Sequence, residues 1–348
     1  MNDVSIILPL FDRPEHTERI LGYYNLYKVN YTFIIADGSK RKIFTQKKLK
    51  EKFPFVKIVY RKFPVDKTCN FYTKKMLKIN KFIKTKYVYQ IANDDFFNPK
   101  FIEDAKNFLD RNKSYVFVGG VVRNVRIIQF FKPVNDFGLI KFQKKNQYYN
   151  YKNVYRDINS PKIKNRILLF LSSLPCETVI KSNIYHEIWK LIEEFKIHNT
   201  HEIDWFFNMI PLIHGKKKFL KIVSTIRQSN TFSGLGLENI SRSGASKERF
   251  NQYLNFLVKK RLIKSKIIAE QLKNTENYKL SIEENKESLS RYIIIKKKYF
   301  KYYSSLKNFI FKLNYFFTFF FFMLYKNKYS SLYSKINQNF KNRKKLYL

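Results

Sequence analysis

Short apolar runs alternate with lysine-rich polar stretches along the N-terminal part of the chain. The runs lie at 4–10, 31–36, 56–60 and 87–92. Each has the length of a buried strand and is followed by turn-forming residues such as Asp, Asn, Gly or Pro. The polar stretches between them have helical character. Strands that alternate with helices form a mostly parallel sheet flanked by helices, so the pattern predicts the α/β class.

The alternation continues beyond this region with less regular spacing. Apolar periodicity predicts further elements, namely a helix after Pro99, a strand at 115–122, regular structure at 167–174 and 187–195, a helix at 203–213 ended by Gly215, and a strand at 219–226. The aromatic and basic residues 128–166 are predicted to form loops or short pairing strands. Residues 1–230 are therefore predicted to form one α/β domain.

The composition favours a folded protein that meets an anionic partner. Of 348 residues, 45% are hydrophobic, and 35 Phe and 25 Tyr provide a large aromatic core. The formal net charge is +41. Nucleic acid, acidic lipid headgroups and phosphorylated small molecules would all complement such a charge, and the charge by itself does not distinguish them.

The C-terminal part of the chain differs in composition from the first domain. Residues 231–290 are polar and predicted to form a helical appendage, and residues 291–348 carry fourteen basic side chains and no acidic one. Within this basic tail, the uncharged stretch 313–325 contains six Phe but is too short to span a membrane. Two interpretations remain open: the stretch lies in the headgroup region of an anionic membrane, or it packs as a helix on the domain.

The location of the protein is predicted from two negative signals. The first residues lack the basic patch, apolar core and cleavage site of a secretory signal. The two cysteines, Cys69 and Cys176, are too few for a disulfide framework. We therefore expect a cytoplasmic protein, and the basic tail suggests a peripheral position on the inner face of the cell membrane.

Candidate chemistry lies directly after the predicted strands. Ligands of open parallel sheets bind outside the carboxyl ends of the strands, and these positions hold Pro9, Asp37 and the adjacent pair Asp94 and Asp95. Two adjacent carboxylates are suitable oxygen ligands for Mg²⁺ or Mn²⁺ bound to a diphosphate. Asp-Asp pairs also cap helices, so the pair alone does not decide between a metal site and a cap.

Three sequence stretches taken in order give a more specific indication. VSIILPLFDRP, FIIADGS and QIANDDFFNP together resemble the nucleotide-sugar domain of bacterial family-2-type glycosyltransferases, which have the GT-A fold. The resemblance covers approximately residues 1–225. It implies a GT-A-like sheet, Pro9 and Asp37 at the nucleotide of the donor, and Asn70 nearby. It also implies that Asp94 and Asp95 hold the divalent metal, although Ala92 stands where the family has the first Asp of this motif.

A second acidic cluster, in HEIDW, precedes a predicted helix. The family resemblance implies that Asp204 takes the proton from the acceptor hydroxyl, with Glu202 displaced by one residue from the usual position of the neighbouring Glu. From the residues alone, Asp204 or Glu202 could instead cap the helix. Arg227 follows the last predicted strand and is a candidate partner of the diphosphate.

These observations predict a metal-dependent glycosyltransferase, inverting, with a carboxylate base. The donor would be a nucleotide-sugar and the acceptor a glycan or a lipid-linked molecule, as in the synthesis of cell-surface polysaccharides. The alternative is a basic nucleic-acid-binding protein without catalysis, which explains the tail but not the acids at the strand ends. A nucleotidyltransferase is a third possibility, although no glycine-rich phosphate loop is present.

Overall fold

The structure is a computed structural model that describes residues 3–128, 139–142, 156–169, 177–228, 247–263, 271 and 330–341. Its strands are β1 Val4–Leu10, β2 Thr32–Asp37, β3 Lys57–Lys62, β4 Tyr87–Gln90, β5 Phe96–Phe97, β6 Tyr115–Ile128, β7 Leu139–Phe142, β8 Thr178–Lys181 and β9 Lys216–Gln228. Its helices are α1 Pro14–Leu26, α2 Gln46–Lys52, α3 Cys69–Ile79, α4 Pro99–Arg111, α5 Ile163–Ile167, α6 Ser182–Phe195, α7 His201–His214, α8 Lys247–Lys259 and α9 Ser330–Lys341. A 3-10 turn, Asn80–Phe82, follows α3.

All the strands belong to one sheet in the order β3-β2-β1-β4-β8-β6-β9-β5, with β7 paired to β6. The first four strands in this order are parallel, as the sequence predicts. Beyond β4 the sheet is mixed, because β8 pairs antiparallel with both β4 and β6, while β6 and β9 run parallel. The predicted α/β class is confirmed, and the sheet is parallel over its first half rather than throughout.

Helices cover both faces of the sheet, which explains why the central strands are apolar on both sides. One hydrophobic core lies between the sheet and α3, α6, α7 and α8. The other lies between the sheet and α1, α2, α4 and α9. The strand β1 illustrates the arrangement, since Ile7 belongs to the first core and Ile6 and Leu8 to the second.

Two helices from the C-terminal part of the chain pack on this sheet domain. Tyr253 of α8 donates a hydrogen bond to the Trp205 carbonyl at 3.0 Å, and Tyr333 of α9 donates one to the Arg19 carbonyl at 2.7 Å. The stretch 313–325 lies outside the described residues, and the boundaries at 230 and 290 stay predictions. None of the described helices combines the length and the apolar composition that crossing a membrane requires.

Most predicted elements occur close to their expected positions. The helix predicted at 203–213 is α7, and the strand predicted at 115–122 is the first part of β6. The strand β8 was not predicted. It is short, and its insertion between β4 and β6 is not visible in the local pattern of residues. This insertion brings the start of β8 to the edge of the sheet where β1, β2 and β4 end, which we call the carboxyl edge.

Candidate active site

The carboxyl edge collects acidic and basic side chains from distant parts of the chain. Residues 93–95, which we call the acid turn, begin three positions after the last residue of β4. Glu177 directly precedes β8. Because β8 runs antiparallel to β4, the start of β8 and Glu177 lie at the edge where β4 ends. Since β9 runs parallel to β4 through β6 and β8, Arg227 near the end of β9 also lies there. The first turn of α7 contributes Asp204.

The acid turn is held by two arginines of the β1–α1 segment. Arg13 donates a hydrogen bond from Nη2 to Asp94 Oδ2 at 2.8 Å. The buried Arg19 donates one to the Asp94 carbonyl and one to Gln228 Oε1, both at 2.9 Å. Gln228 in turn donates from its backbone N–H to Asp95 Oδ1 at 3.0 Å. The turn is therefore fixed to α1 on one side and to β9 on the other.

Asp95 is buried beside other acidic groups. Burial, and next the negative charge of Asp94, hold the pKa of the Asp95 carboxyl well above its usual range. The Arg227 guanidinium opposes this shift, with its Nε 3.9 Å from Asp95 Oδ2. A carboxyl group in this environment gains most from an additional cation, because a positive charge would favour its ionised form.

Arg227 is shared between Asp95 and Glu177. Its Nε and Nη2 both donate to Glu177 Oε1, the first at 3.0 Å. The guanidinium is about one-third exposed, whereas the Glu177 side chain is 4% exposed. The arginine therefore keeps a face toward solvent while buried carboxylates hold it in place.

Asp204 lies beside this group. Burial raises the pKa of the Asp204 carboxyl to about 7, the Arg227 charge lowers it, and the Glu177 charge raises it. The N-cap of α7 is Thr200, so Asp204 is inside the helix and does not occupy the capping position. This carboxyl, half-buried and placed next to a guanidinium, is suited to accept a proton near neutral pH.

The structure places Glu202 elsewhere, so the sequence expectation that it shares a site with Asp204 needs correction. Successive helical residues are rotated by about 100°, and residues two apart therefore point to nearly opposite faces. The buried Glu202 carboxylate forms an ion pair with Arg249 of α8 at 2.8 Å and accepts a hydrogen bond from the His198 N–H at 3.2 Å. Its role there is to join the start of α7 to α8.

The residues expected at the nucleotide lie in β1, at the end of β2 and at the start of α3. Asp37 ends β2, and its carboxylate accepts hydrogen bonds from the Ser39 N–H at 2.8 Å and from the Tyr60 hydroxyl at 2.6 Å. Pro9, half-buried, is in register with Ala36 one position before Asp37. Asn70 is exposed in the first turn of α3.

The turn after β2 and the acid turn are connected through the segment between β1 and α1. Ser39, two residues after Asp37, accepts a hydrogen bond at Oγ from the Asp12 N–H at 2.9 Å. Asp12 has a positive φ of 44°, and the next residue is Arg13, which binds Asp94. The structure thus brings Pro9, Asp37, Asp94, Asp95, Arg227 and Asp204 to one edge.

Beneath Asp37, a glycine allows close packing against a buried ion pair. Asp66 and Lys75 form this pair, and both are almost fully buried. A Cβ at Gly38 would overlap the Asp66 carboxylate, so the turn after β2 requires glycine. The close approach of the backbone between Asp37 and Ser39 to the Asp66 carboxylate is therefore possible only with glycine at position 38.

The acid turn fits a cation that is bound together with a ligand rather than by the protein alone. The described residues include no group of three or more His, Cys, Asp or Glu side chains arranged to hold a metal. Asp94 and Asp95 offer two carboxylates, and Mg²⁺ is often bound by one or two carboxylates together with substrate phosphates. The donor set is therefore suitable for Mg²⁺ or Mn²⁺ if phosphate oxygens complete the coordination.

Sequence reasoning did not assign a role to Arg13 or Glu177. Arg13 was one of several residues after the first strand, and a local pattern does not show that its guanidinium reaches Asp94. Glu177 follows Cys176 without any recognisable motif. A strand at 178–181 running opposite to β4 would have been the signal for Glu177, and that strand was not predicted.

Solved structures of S. aureus TarS have a similar fold. The complex with UDP-GlcNAc matches with a TM-score of 0.50 and 12% identity over 74% of this chain and 67% of that chain. A second TarS structure matches with a TM-score of 0.45 and 13% identity over 77% of this chain. The chain spans 50% of the length of that TarS structure. Neither a protein-family model nor a curated protein sequence matches the chain. At this identity the likeness shows the fold, that of a glycosyltransferase, and does not assign a family.

Proposed function

We propose that this protein is a glycosyltransferase that uses a nucleotide-sugar donor. The observation that carries the proposal is the convergence of Asp94, Asp95, Arg227 and Asp204 at the carboxyl edge of a glycosyltransferase-like sheet. TarS has been solved with UDP and with UDP-GlcNAc, which supports a nucleotide-sugar as the donor here. The family-2 type is part of the proposal.

In the proposed mechanism, the nucleotide lies along the Pro9 and Asp37 side of the edge and the diphosphate reaches the acid turn. Asp94 and Asp95 would hold Mg²⁺ or Mn²⁺, which when bound supplies positive charge against the leaving diphosphate. Arg227 adds a second positive charge at the same place. Asn70, exposed on α3, is a further candidate contact of the donor.

Asp204 is the proposed base. An acceptor hydroxyl attacks the anomeric carbon, the new C–O bond forms, the bond from this carbon to the diphosphate oxygen breaks, and the hydroxyl proton passes to Asp204. The nucleoside diphosphate leaves with the bond electrons, and the configuration inverts. A carboxyl with a pKa near 7 is a strong enough base and is ionised at neutral pH in a useful fraction.

The acceptor is proposed to be a glycan or a lipid-linked molecule at the inner face of the cell membrane. The net charge of +41 supports an anionic surface as the place of work. Nucleic acid is a less suitable partner, because exposed phosphates would meet the carboxylates of the acid turn.

The decisive experiment replaces one carboxyl group without changing its shape. Asp95→Asn keeps an oxygen to accept from the Gln228 N–H, and it removes the negative charge. We expect nucleoside diphosphate release from UDP-GlcNAc, UDP-glucose or UDP-galactose with Mn²⁺ to fall by about 100-fold or more. The matched control is Asp104→Asn on α4, which alters a surface pair with Lys100 and should keep wild-type turnover. Full turnover by Asp95→Asn would reject the proposed site.

A further inference from the structure

The position of the transferred sugar follows from the proposed chemistry. Its anomeric carbon must lie between the leaving diphosphate at the acid turn and the attacking hydroxyl near Asp204. Glu177 lies close enough to both of these carboxyl groups to interact with them electrostatically. Its negative charge acts on the pKa of both Asp95 and Asp204, and its Oε1 binds the Arg227 guanidinium, which approaches Asp95 to 3.9 Å.

Within the part of the chain that the structure describes, only one oxygen of Glu177 accepts hydrogen bonds. Oε1 accepts two hydrogen bonds from Arg227. Oε2 is buried and accepts no hydrogen bond from any residue that the structure describes. A buried carboxylate oxygen without a donor destabilises a protein, and such atoms are rare unless a ligand or a water completes them. The unused oxygen therefore indicates where a hydrogen-bond donor of a ligand is accommodated.

We propose that Glu177 is a specificity-determining residue that accepts, at Oε2, a hydrogen bond from a hydroxyl group of the transferred sugar. The proposal rests on the proposed function, because the sugar is placed by the donor and the base. An ionised carboxylate has no proton to donate, so it selects a hydroxyl or amide N–H. A site built to bind a hydroxyl strongly rejects an analogue that lacks it, because the buried acceptor is then left without a partner.

A purely structural role for Glu177 makes a different prediction. If Glu177 served only to hold Arg227, its loss would disturb the binding of the diphosphate and therefore of UDP itself. A contact to the sugar would instead leave UDP binding intact and weaken the binding of UDP-sugars. Comparing the Kd of UDP with that of a UDP-sugar thus separates the two roles.

The experiment uses the full chain and the UDP-sugar that the wild type binds best among UDP-GlcNAc, UDP-glucose and UDP-galactose. In Glu177→Gln, we expect the Kd of UDP to change less than twofold and that of the UDP-sugar to rise at least tenfold. The matched control is Glu187→Gln on α6, whose carboxylate pairs with His214 at 2.9 Å, and it should change neither Kd. Equal weakening of UDP and UDP-sugar, or no weakening of either, overturns the inference.

A second arm identifies the hydroxyl. Among the 2-, 3-, 4- and 6-deoxy analogues of this donor, one should bind the wild type at least tenfold more weakly than the parent, and this penalty should disappear in Glu177→Gln. If Glu177→Gln does not fold, Glu177→Asp keeps the charge, withdraws both oxygens by one methylene, and should lose the same discrimination. Persistence of the penalty in the folded variant contradicts the inference. A wild type that binds no UDP-sugar contradicts the proposed function instead.

Discussion

The Asp204 carboxyl is influenced by one positive and one negative side chain, and its protonation follows from the balance of these charges with burial. Desolvation disfavours the carboxylate, Arg227 favours it, and Glu177 disfavours it. The outcome is a pKa of about 7, so the carboxyl changes its protonation state near neutral pH. A group tuned in this way is typical of a general base and unusual for a structural carboxyl at a helix start.

Activity should therefore depend on the ionisation of Asp204. Because the proposed base acts as a carboxylate, kcat/KM is expected to rise about tenfold per pH unit below about 7 and to level off above it. The measurement is nucleoside diphosphate release at subsaturating donor between pH 5.5 and 8.5. A rate that does not vary with pH over this range would exclude Asp204 as the base.

The raised pKa of Asp204 can also be tested through protein stability, without an activity assay. A folded pKa near 7 against an ordinary value of 3.8 means that the folded state binds a proton that the unfolded state releases between these two pH values. The free energy of unfolding should therefore fall as the pH rises through this window, and stay level above it. Asp204→Asn should remove this contribution, which urea denaturation at pH 5 and pH 8 would detect as a smaller difference between the two conditions.

The sequence predicts the positions of some site residues and not of others. Asp37 and the acid turn were predictable because each follows a recognisable strand. Glu202 and Asp204 point to nearly opposite faces of α7, but the sequence does not show which of these faces packs against the rest of the protein. It was Arg249, far along the chain, that showed which carboxyl faces the core.

At the scale of elements, the strands β1 to β4 were predictable because each contains a short, largely apolar run followed by a turn. Alternation with helices made them parallel, which placed their carboxyl ends together. The strand β8 broke this rule. Its four residues carry little signal, and its reversed direction is set by tertiary packing between β4 and β6 rather than by local preference.

One buried side chain joins three elements at the site. Arg19 of α1 is fully buried, donates to the acid turn after β4, and donates to Gln228 at the end of β9. Its guanidinium also lies 5.2 Å from the centre of the Phe96 ring. The planar group with several donors suits such a bridge, and a lysine could not make both bonds in the same geometry.

Replacing this bridge should cost stability. Arg19→Met fills similar space but leaves the Asp94 carbonyl and the Gln228 amide without their donor. We expect the free energy of unfolding to fall by about 3 kcal/mol, because hydrogen bonds from charged groups contribute about 1.5–3 kcal/mol each. Urea denaturation would measure this loss. The matched control Arg111→Met, at the exposed end of α4, should stay within about 0.5 kcal/mol of the wild type, and an equal loss in both variants would contradict the bridging role.

At the scale of the whole molecule, helix α9 packs against helix α1, which lies more than 300 residues earlier in the sequence. The hydrogen bond from Tyr333 to the Arg19 carbonyl joins residues 314 positions apart. Tyr333 also contacts the Tyr23 ring, with centroids 5.4 Å apart, and Ile336 of the same helix is fully buried in the core beneath α1. No sequence pattern predicted this contact, because a tail rich in lysine and aromatic residues fits a membrane surface equally well. The membrane role of 313–325 stays a prediction, because these residues lie outside the described part of the chain.

The position of α9 predicts an effect of the C-terminus on the distant site. The helix supports α1, and α1 carries Arg19 while its N-cap is Arg13, so both contacts of the acid turn depend on how α1 is held. Tyr333→Ala removes a buried ring and a hydrogen bond, and should lower the free energy of unfolding by about 3–5 kcal/mol. It should also weaken UDP-sugar binding more than Tyr333→Phe, which loses only the hydrogen bond and about 1 kcal/mol.

Ser334→Ala provides the control, because Ser334 lies on the exposed face of α9 next to Tyr333. Urea denaturation and donor titration of the three variants would show a graded loss, largest for the alanine at 333 and absent at 334. If Tyr333→Ala unfolded like the wild type, α9 would not be part of the core. If Tyr333→Ala lowered stability but left donor binding unchanged, α1 would hold the acid turn without support from α9. The proposed coupling between the packing of α9 and donor binding would then be rejected.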